Sequence, residues 1–100
     1  MSDVSMAGHA RVVGRLRPGD CVRGRLSDGA TFDADVVATE RGPAGVRVVL
    51  VPAGVSPAGT RWRLRVPRTS DGWRATRFET QNAGDWVTHG VVVELRRRCE

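Results

Sequence analysis

The chain has no lysine, no tyrosine and no isoleucine, only two cysteines, and only five aromatic residues, three Trp and two Phe. Each shortage narrows what it can be. With lysine absent, all sixteen basic residues are arginine, set against eleven carboxylates for a formal net charge of +5. Guanidinium groups make planar, two-pronged contacts with phosphate and carboxylate, so an arginine-only basic surface suits nucleic acid. The same skew towards Ala, Val, Gly and Arg is also what GC-rich coding produces without regard to function. No apolar run approaches the ~20 residues that a membrane-spanning helix needs. The opening MSDVSMAGHA lacks the basic flank and apolar centre of a secretion signal and reads as a flexible arm over residues 1–10. A cytoplasmic location follows, in a prokaryotic setting, with no membrane partner. There Cys21 and Cys99 are expected as reduced thiols, with a bridge left open if the strands carrying them lie side by side.

What the chain does have is punctuation. Turn-forming clusters recur at Pro18-Gly19-Asp20, Asp28-Gly29, Arg41-Gly42-Pro43, Pro52-Ala53-Gly54, Pro57-Ala58-Gly59, Ser70-Asp71-Gly72 and Ala83-Gly84-Asp85. Between them lie short runs rich in Val, Arg, Thr and Trp, which predicts an all-β barrel or sandwich. Strands are expected near 11–17, 21–27, 31–39, 45–51, 60–66, 73–79 and 86–96, forming one small, partly open antiparallel barrel over residues 11–100. Only a turn or two of helix has room to form, within 80–85.

The run CVRGRLSDGATFDADVVA, from Cys21 to Ala38, shows the logic most fully. Val22, Gly24 and Leu26 alternate with Arg23 and Arg25. Phe32, Ala34, Val36 and Ala38 alternate with Asp33 and Asp35. Strict alternation marks two half-buried antiparallel strands. Directly opposed residues share a face, so an odd-length loop is required. The three residues Ser27-Asp28-Gly29 satisfy this and put Gly29 at the left-handed position such loops demand. Gly24 then faces Phe32, whose ring covers the missing side chain, and Arg23 and Arg25 face Asp33 and Asp35.

Later strands follow suit. Val46, Val48 and Leu50 point inward, as do Trp62, Leu64 and Val66, and Val91, Val93 and Leu95. In 11–17, Val12, Gly14 and Leu16 are expected inside, with Arg11, Arg15 and Arg17 outside. Segment 73–79 has no clean apolar face unless a bulge near Ala75 and Thr76 reconciles Trp73 with Phe78.

The string RLRPGDCVRGRLSDGATFDADVV resembles the opening of small SH3-like barrels of the Sm and KOW type, over roughly residues 14–38. The resemblance implies a Pro-Gly-Asp turn leading into a strand, a tight hairpin and a bent third strand. It implies no binding site, because the Asp/Asn pair with which the Sm signature contacts RNA has no counterpart between Ala38 and Val46.

The strongest functional pattern is the ladder Arg61, Arg63, Arg65 along one strand face. Arg23, Arg25, Arg74, Arg77 and Arg96 to Arg98 extend it into a basic stripe of the kind that attracts phosphates. Trp73 and Trp86, near strand starts, are the candidates for stacking on bases, since Trp62 and Phe32 face inward. The alternative is a solvated face largely neutralised by Asp33, Asp35, Glu79 and Glu94. A protein-binding or self-associating module is the second expectation, through Val37, Val49, Val51, Val87 and Val92 on outward positions. No cofactor is expected. His9, Cys21, His89 and Cys99 have no metal-binding spacing. His89, Thr88 and Asp85 lack a strand-turn-helix elbow to present a nucleophile, and Asp33 and Asp35 are read as ion-pair partners, so no enzymatic activity is expected.

Overall fold

The computed structural model describes residues 11–54 and 61–97. The expected arm over 1–10, the turn at Pro57-Ala58-Gly59, and His9, Arg98 and Cys99 lie outside these. Seven strands follow in order: β1 (Cys21–Leu26), β2 (Thr31–Gly42), β3 (Gly45–Pro52), β4 (Trp62–Thr69), β5 (Gly72–Trp73), β6 (Arg77–Asn82) and β7 (Asp85–Arg97). All pairings are antiparallel. Each of β1, β2, β3, β4, β6 and β7 pairs with the next, and β7 returns to β1. The small antiparallel barrel is thus a ring of six strands that closes fully, with β5 a short ribbon beside the end of β4.

The first hairpin forms as its residues dictate. Val22 opposes Ala34, Arg23 opposes Asp33 and Gly24 opposes Phe32. The loop is Ser27-Asp28-Gly29: Leu26 N–H donates to Ala30 O at 2.7 Å, Gly29 takes φ +94°, and Asp28 Oδ1 accepts from Ala30 N–H at 2.9 Å. A Cβ on Gly24 would overlap the Phe32 ring, so only glycine lets that ring lie across the strand. Phe32 stacks on Phe78 with centroids 4.6 Å apart, and Trp62 meets Phe78 edge-on at 5.3 Å. Val22, Val48, Leu50, Leu64 and Val66 fill the rest of the interior.

The N-terminal segment differs from its expected strand. Residues 11–15 form a short helix, and it is Val13 and Leu16 that are buried, three apart on one helical face. They plug the end of the barrel where β1 begins. A turn follows: Pro18 and Gly19 (φ +98°) occupy its centre, and Asp20 N–H donates to Arg17 O at 3.0 Å. Residues 80–85 hold the β6–β7 hairpin instead of a helical turn. In 73–79 the chain leaves the sheet over 74–76 and re-enters as β6, a break in place of the expected bulge.

Bulges do occur, and they shift the alternation. The β2–β3 register slips at Val37, the β6–β7 register at His89, and the β1–β7 register at Val93. An extra residue turns everything after it to the other face. Ala38, expected inside, is therefore exposed. In β7, Val92 is buried (2 % exposed) while Val91 and Val93 face solvent, the reverse of the expected phase. Leu95 returns to the core side.

Cys21 is disulfide-bonded, which overturns the reduced thiol expected there. The pairing of β1 with β7, which sets Val22 opposite Arg97, is the side-by-side arrangement that a bridge requires. Among the described residues, no helix is long and apolar enough to cross a membrane.

Candidate phosphate-binding surface

Register decides which arginines have partners. Arg63 opposes Glu79 across β4 and β6, and Arg65 is two residues further along the same face. Glu79 stands on the outer side of the barrel yet is only 3 % exposed, because these side chains close over it. Its Oε1 accepts from Arg63 Nε at 2.7 Å and lies 2.6 Å from the second guanidinium nitrogen. Its Oε2 accepts from Arg65 Nε at 3.1 Å and from Thr88 Oγ1 at 3.0 Å. Burial alone would raise the Glu79 pKa. The hydrogen bonds from Arg63, Thr88 and Arg65, with the Arg63 charge, more than offset it and hold the carboxyl below its usual range. The outer side of Arg63 lies over the Trp86 ring, 4.3 Å from its centroid. Two rungs of the ladder and one candidate stacking residue are therefore engaged in a Trp86–Arg63–Glu79 layer.

The other arginines singled out from the sequence are scattered. Arg23 holds Asp33 with Nε at 2.7 Å. Arg25 reaches sideways to Glu94 on β7 at 3.2 Å, because it stands opposite Thr31 and away from both aspartates of β2. Arg74 lies 3.6 Å from Asp71. Arg61 and Arg77 are exposed and have no carboxylate partner among the described residues, but they sit near opposite ends of the barrel. The groove of about 470 Å³ over β1 and β7 contains Arg23, Arg25 and Arg96, with Glu94 in its wall.

A different group of arginines converges at the helix-capped end. A groove of about 410 Å³ is lined by Arg11, Gly14 and Arg15 of the helix, Arg41 and Gly42 ending β2, Gly45 and Val46 starting β3, Arg68 of β4 and Trp73 of β5. Among the described residues, no acidic side chain lines it. Seven of the fifteen described arginines have a carboxylate within 4.0 Å, namely Arg23, Arg25, Arg47, Arg63, Arg65, Arg74 and Arg97. None of these seven lines this groove. Arg68 instead lies over the Trp73 ring at 5.3 Å.

Glycine makes the convergence possible. The β2–β3 turn pairs Gly42 with Gly45, and Ala44 O accepts from Arg68 N–H at 2.9 Å, tying that turn to the end of β4. Gly45 has φ +131°, and a Cβ there would run into the backbone of Val66 and Pro67. Opposite, the Arg41 guanidinium lies 3.5 Å from where a Gly14 Cβ would stand, so Arg41 reaches across to the helix.

Of the residues singled out from sequence, only Trp73 belongs to this groove. The strand pattern sets Arg11 and Arg15 on an outer face, Arg41 falls in a turn cluster, and Arg68 belongs to no pattern in the sequence. The available signal was the spacing of Val13 and Leu16, which puts Arg11 and Arg15 together on the solvent side of a helix.

The other polar arrangement of note is Thr80 Oγ1 at 2.6 Å from His89 Nε2, on an exposed flank beside Trp62 and Phe78. Among the described residues, no carboxylate is hydrogen-bonded to that imidazole, and no group of three or more His, Cys, Asp and Glu is placed to hold a metal ion. Comparison with protein-family models, with curated proteins and with solved structures found no match.

Proposed function

We propose that this is a non-catalytic binding domain whose ligand is the phosphate backbone of a nucleic acid. What supports the reading is one observation: Arg11, Arg15, Arg41 and Arg68 gather in a groove that no carboxylate among the described residues lines. Like charges held together repel one another and weaken the fold unless an anion is brought among them. The contact therefore moves from the Arg61–Arg65 ladder, where Arg63 and Arg65 are occupied by Glu79, to the helix-capped end of the barrel.

Titration of the full chain with a labelled oligonucleotide of arbitrary sequence tests this. The logarithm of affinity is expected to fall linearly with the logarithm of salt concentration, as it does when arginines displace condensed counterions. An affinity unchanged between ~50 and ~200 mM salt, or no binding at the lower value, contradicts the proposal.

A second reading has its own observation. Val91 and Val93 of β7 are exposed, apolar side chains suited to a protein partner or a second copy of the chain. Replacing Val91 and Val93 by serine separates the two readings, since it would abolish such an interface and leave a phosphate contact intact.

A further inference from the structure

The groove has features that a general attraction for phosphate does not need, and they concern which nucleic acid it takes. We propose that it receives a single strand, with the sugar–phosphate backbone against Arg11, Arg15 and Arg41 and a base against the Trp73 indole. This rests on the phosphate-binding reading and narrows it.

Shape is the first argument. The cationic surface is concave, walled by the helix on one side and by the β2–β3 turn and β5 on the other, and encloses about 410 Å³. A duplex is a thick rod with its bases paired inside, so it can lay one backbone along such a groove but brings no base to the Trp73 wall. A single strand can do both, and an arginine-lined trough that tracks the backbone is how single strands are held without regard to sequence.

The second argument is the aromatic wall. Trp73 is half-buried against the core, so its indole is held in place, and Arg68 lies over it at 5.3 Å. Arg68 covers the ring but is exposed and, unlike Arg63, is held by no carboxylate among the described residues. A base therefore stacks on the indole by moving that guanidinium aside and keeps it as a neighbour. Paired bases in a duplex present no free face for this. A third feature is backbone access: Gly42 has nothing within 4 Å of where a Cβ would project, leaving open floor beside Arg41.

Binding of the full chain to a single-stranded DNA, the same sequence as RNA, its duplex, and inorganic polyphosphate tests the inference. Three arginine–phosphate contacts on a single strand correspond to a logarithmic salt slope of about −2.1, or about 20-fold weaker binding on going from ~50 to ~200 mM salt. Arg15→Ala with Arg41→Ala is expected to cut that slope to about a third, while Arg61→Ala with Arg77→Ala leaves it unchanged. Trp73→Phe, checked by thermal melting, is expected to weaken binding of the oligonucleotides several-fold but not of polyphosphate. Tryptophan emission is expected to be quenched by oligonucleotide in the parent chain and much less in that variant.

Duplex bound as tightly as single strand overturns the inference. So does polyphosphate matching the oligonucleotides with Trp73→Phe silent, or a groove variant that binds normally. In the first two cases the broader phosphate reading survives, whereas a groove variant that binds normally removes it as well. Absence of binding to any of the four at low salt removes both.

Discussion

Arg63 and Glu79 face each other across β4 and β6, with a guanidinium nitrogen 2.6 Å from a carboxylate that is 3 % exposed. The pair gives Arg63 a structural task. Removing one partner of a buried, hydrogen-bonded ion pair leaves the other uncompensated, although Arg65 and Thr88 still hold Glu79. Arg63→Ala is expected to lower stability by about 2 kcal/mol in urea unfolding. Arg61→Ala, on the same strand face, should change it by no more than about 0.5 kcal/mol.

The same pair sets a pH dependence. Glu79 has a lowered pKa in the folded chain, so the folded state favours its ionised form. That contribution is fully present above the carboxyl's unfolded value and is lost as pH falls from there through the lowered folded value. Thermal melts over this acid range should show the parent chain losing more stability than Glu79→Gln. Parallel curves would show that Glu79 carries no such linkage.

Gly24 and Phe32 supply a steric test. A methyl at position 24 would overlap the Phe32 ring, which in turn stacks on Phe78. Gly24→Ala is expected to cost about 2 kcal/mol through overpacking. Adding Phe32→Leu should cost less in the Gly24→Ala background than in the parent, a coupling that a double-mutant cycle reads directly.

Val92 and Val93 are neighbours with opposite fates. Val92 is 2 % exposed and Val93 is 43 % exposed, because the β1–β7 bulge turns Val93 outward. Val92→Ser places a hydroxyl in the core and is expected to cost about 2–3 kcal/mol. Val93→Ser should be within about 0.5 kcal/mol of neutral. Denaturant midpoints distinguish them.

These pairs also mark how far the sequence could be read. The hairpin from Cys21 to Ala34 was legible to the residue, because its loop, register and Gly24–Phe32 contact are all settled by neighbours in the chain. The phase of β7 was not, since alternation carries no record of a bulge created by pairing with β1. Val12, Gly14 and Leu16 imitate a strand just as well as Val13 and Leu16 describe a helical turn, and only the open barrel end decides between them. Glu79 was legible as a neutralising charge but not as the anchor of Arg63 and Arg65, because the irregular stretch 74–76 hides the β4–β6 register. The arginine groove was least legible of all. Its lining comes from five separate segments that meet only once the ring has closed and the helix has capped it.

Backbone amide resonances of the full chain, followed through a titration with a single-stranded oligonucleotide, test the central claim most directly. The expected result is that shifts cluster in residues 11–15, 41–46 and 68–73, with the Arg61–Arg65 ladder and Glu79 little changed. Shifts centred on that ladder or on the exposed valines of β7, with residues 11–15 and 41–46 unmoved, would contradict it.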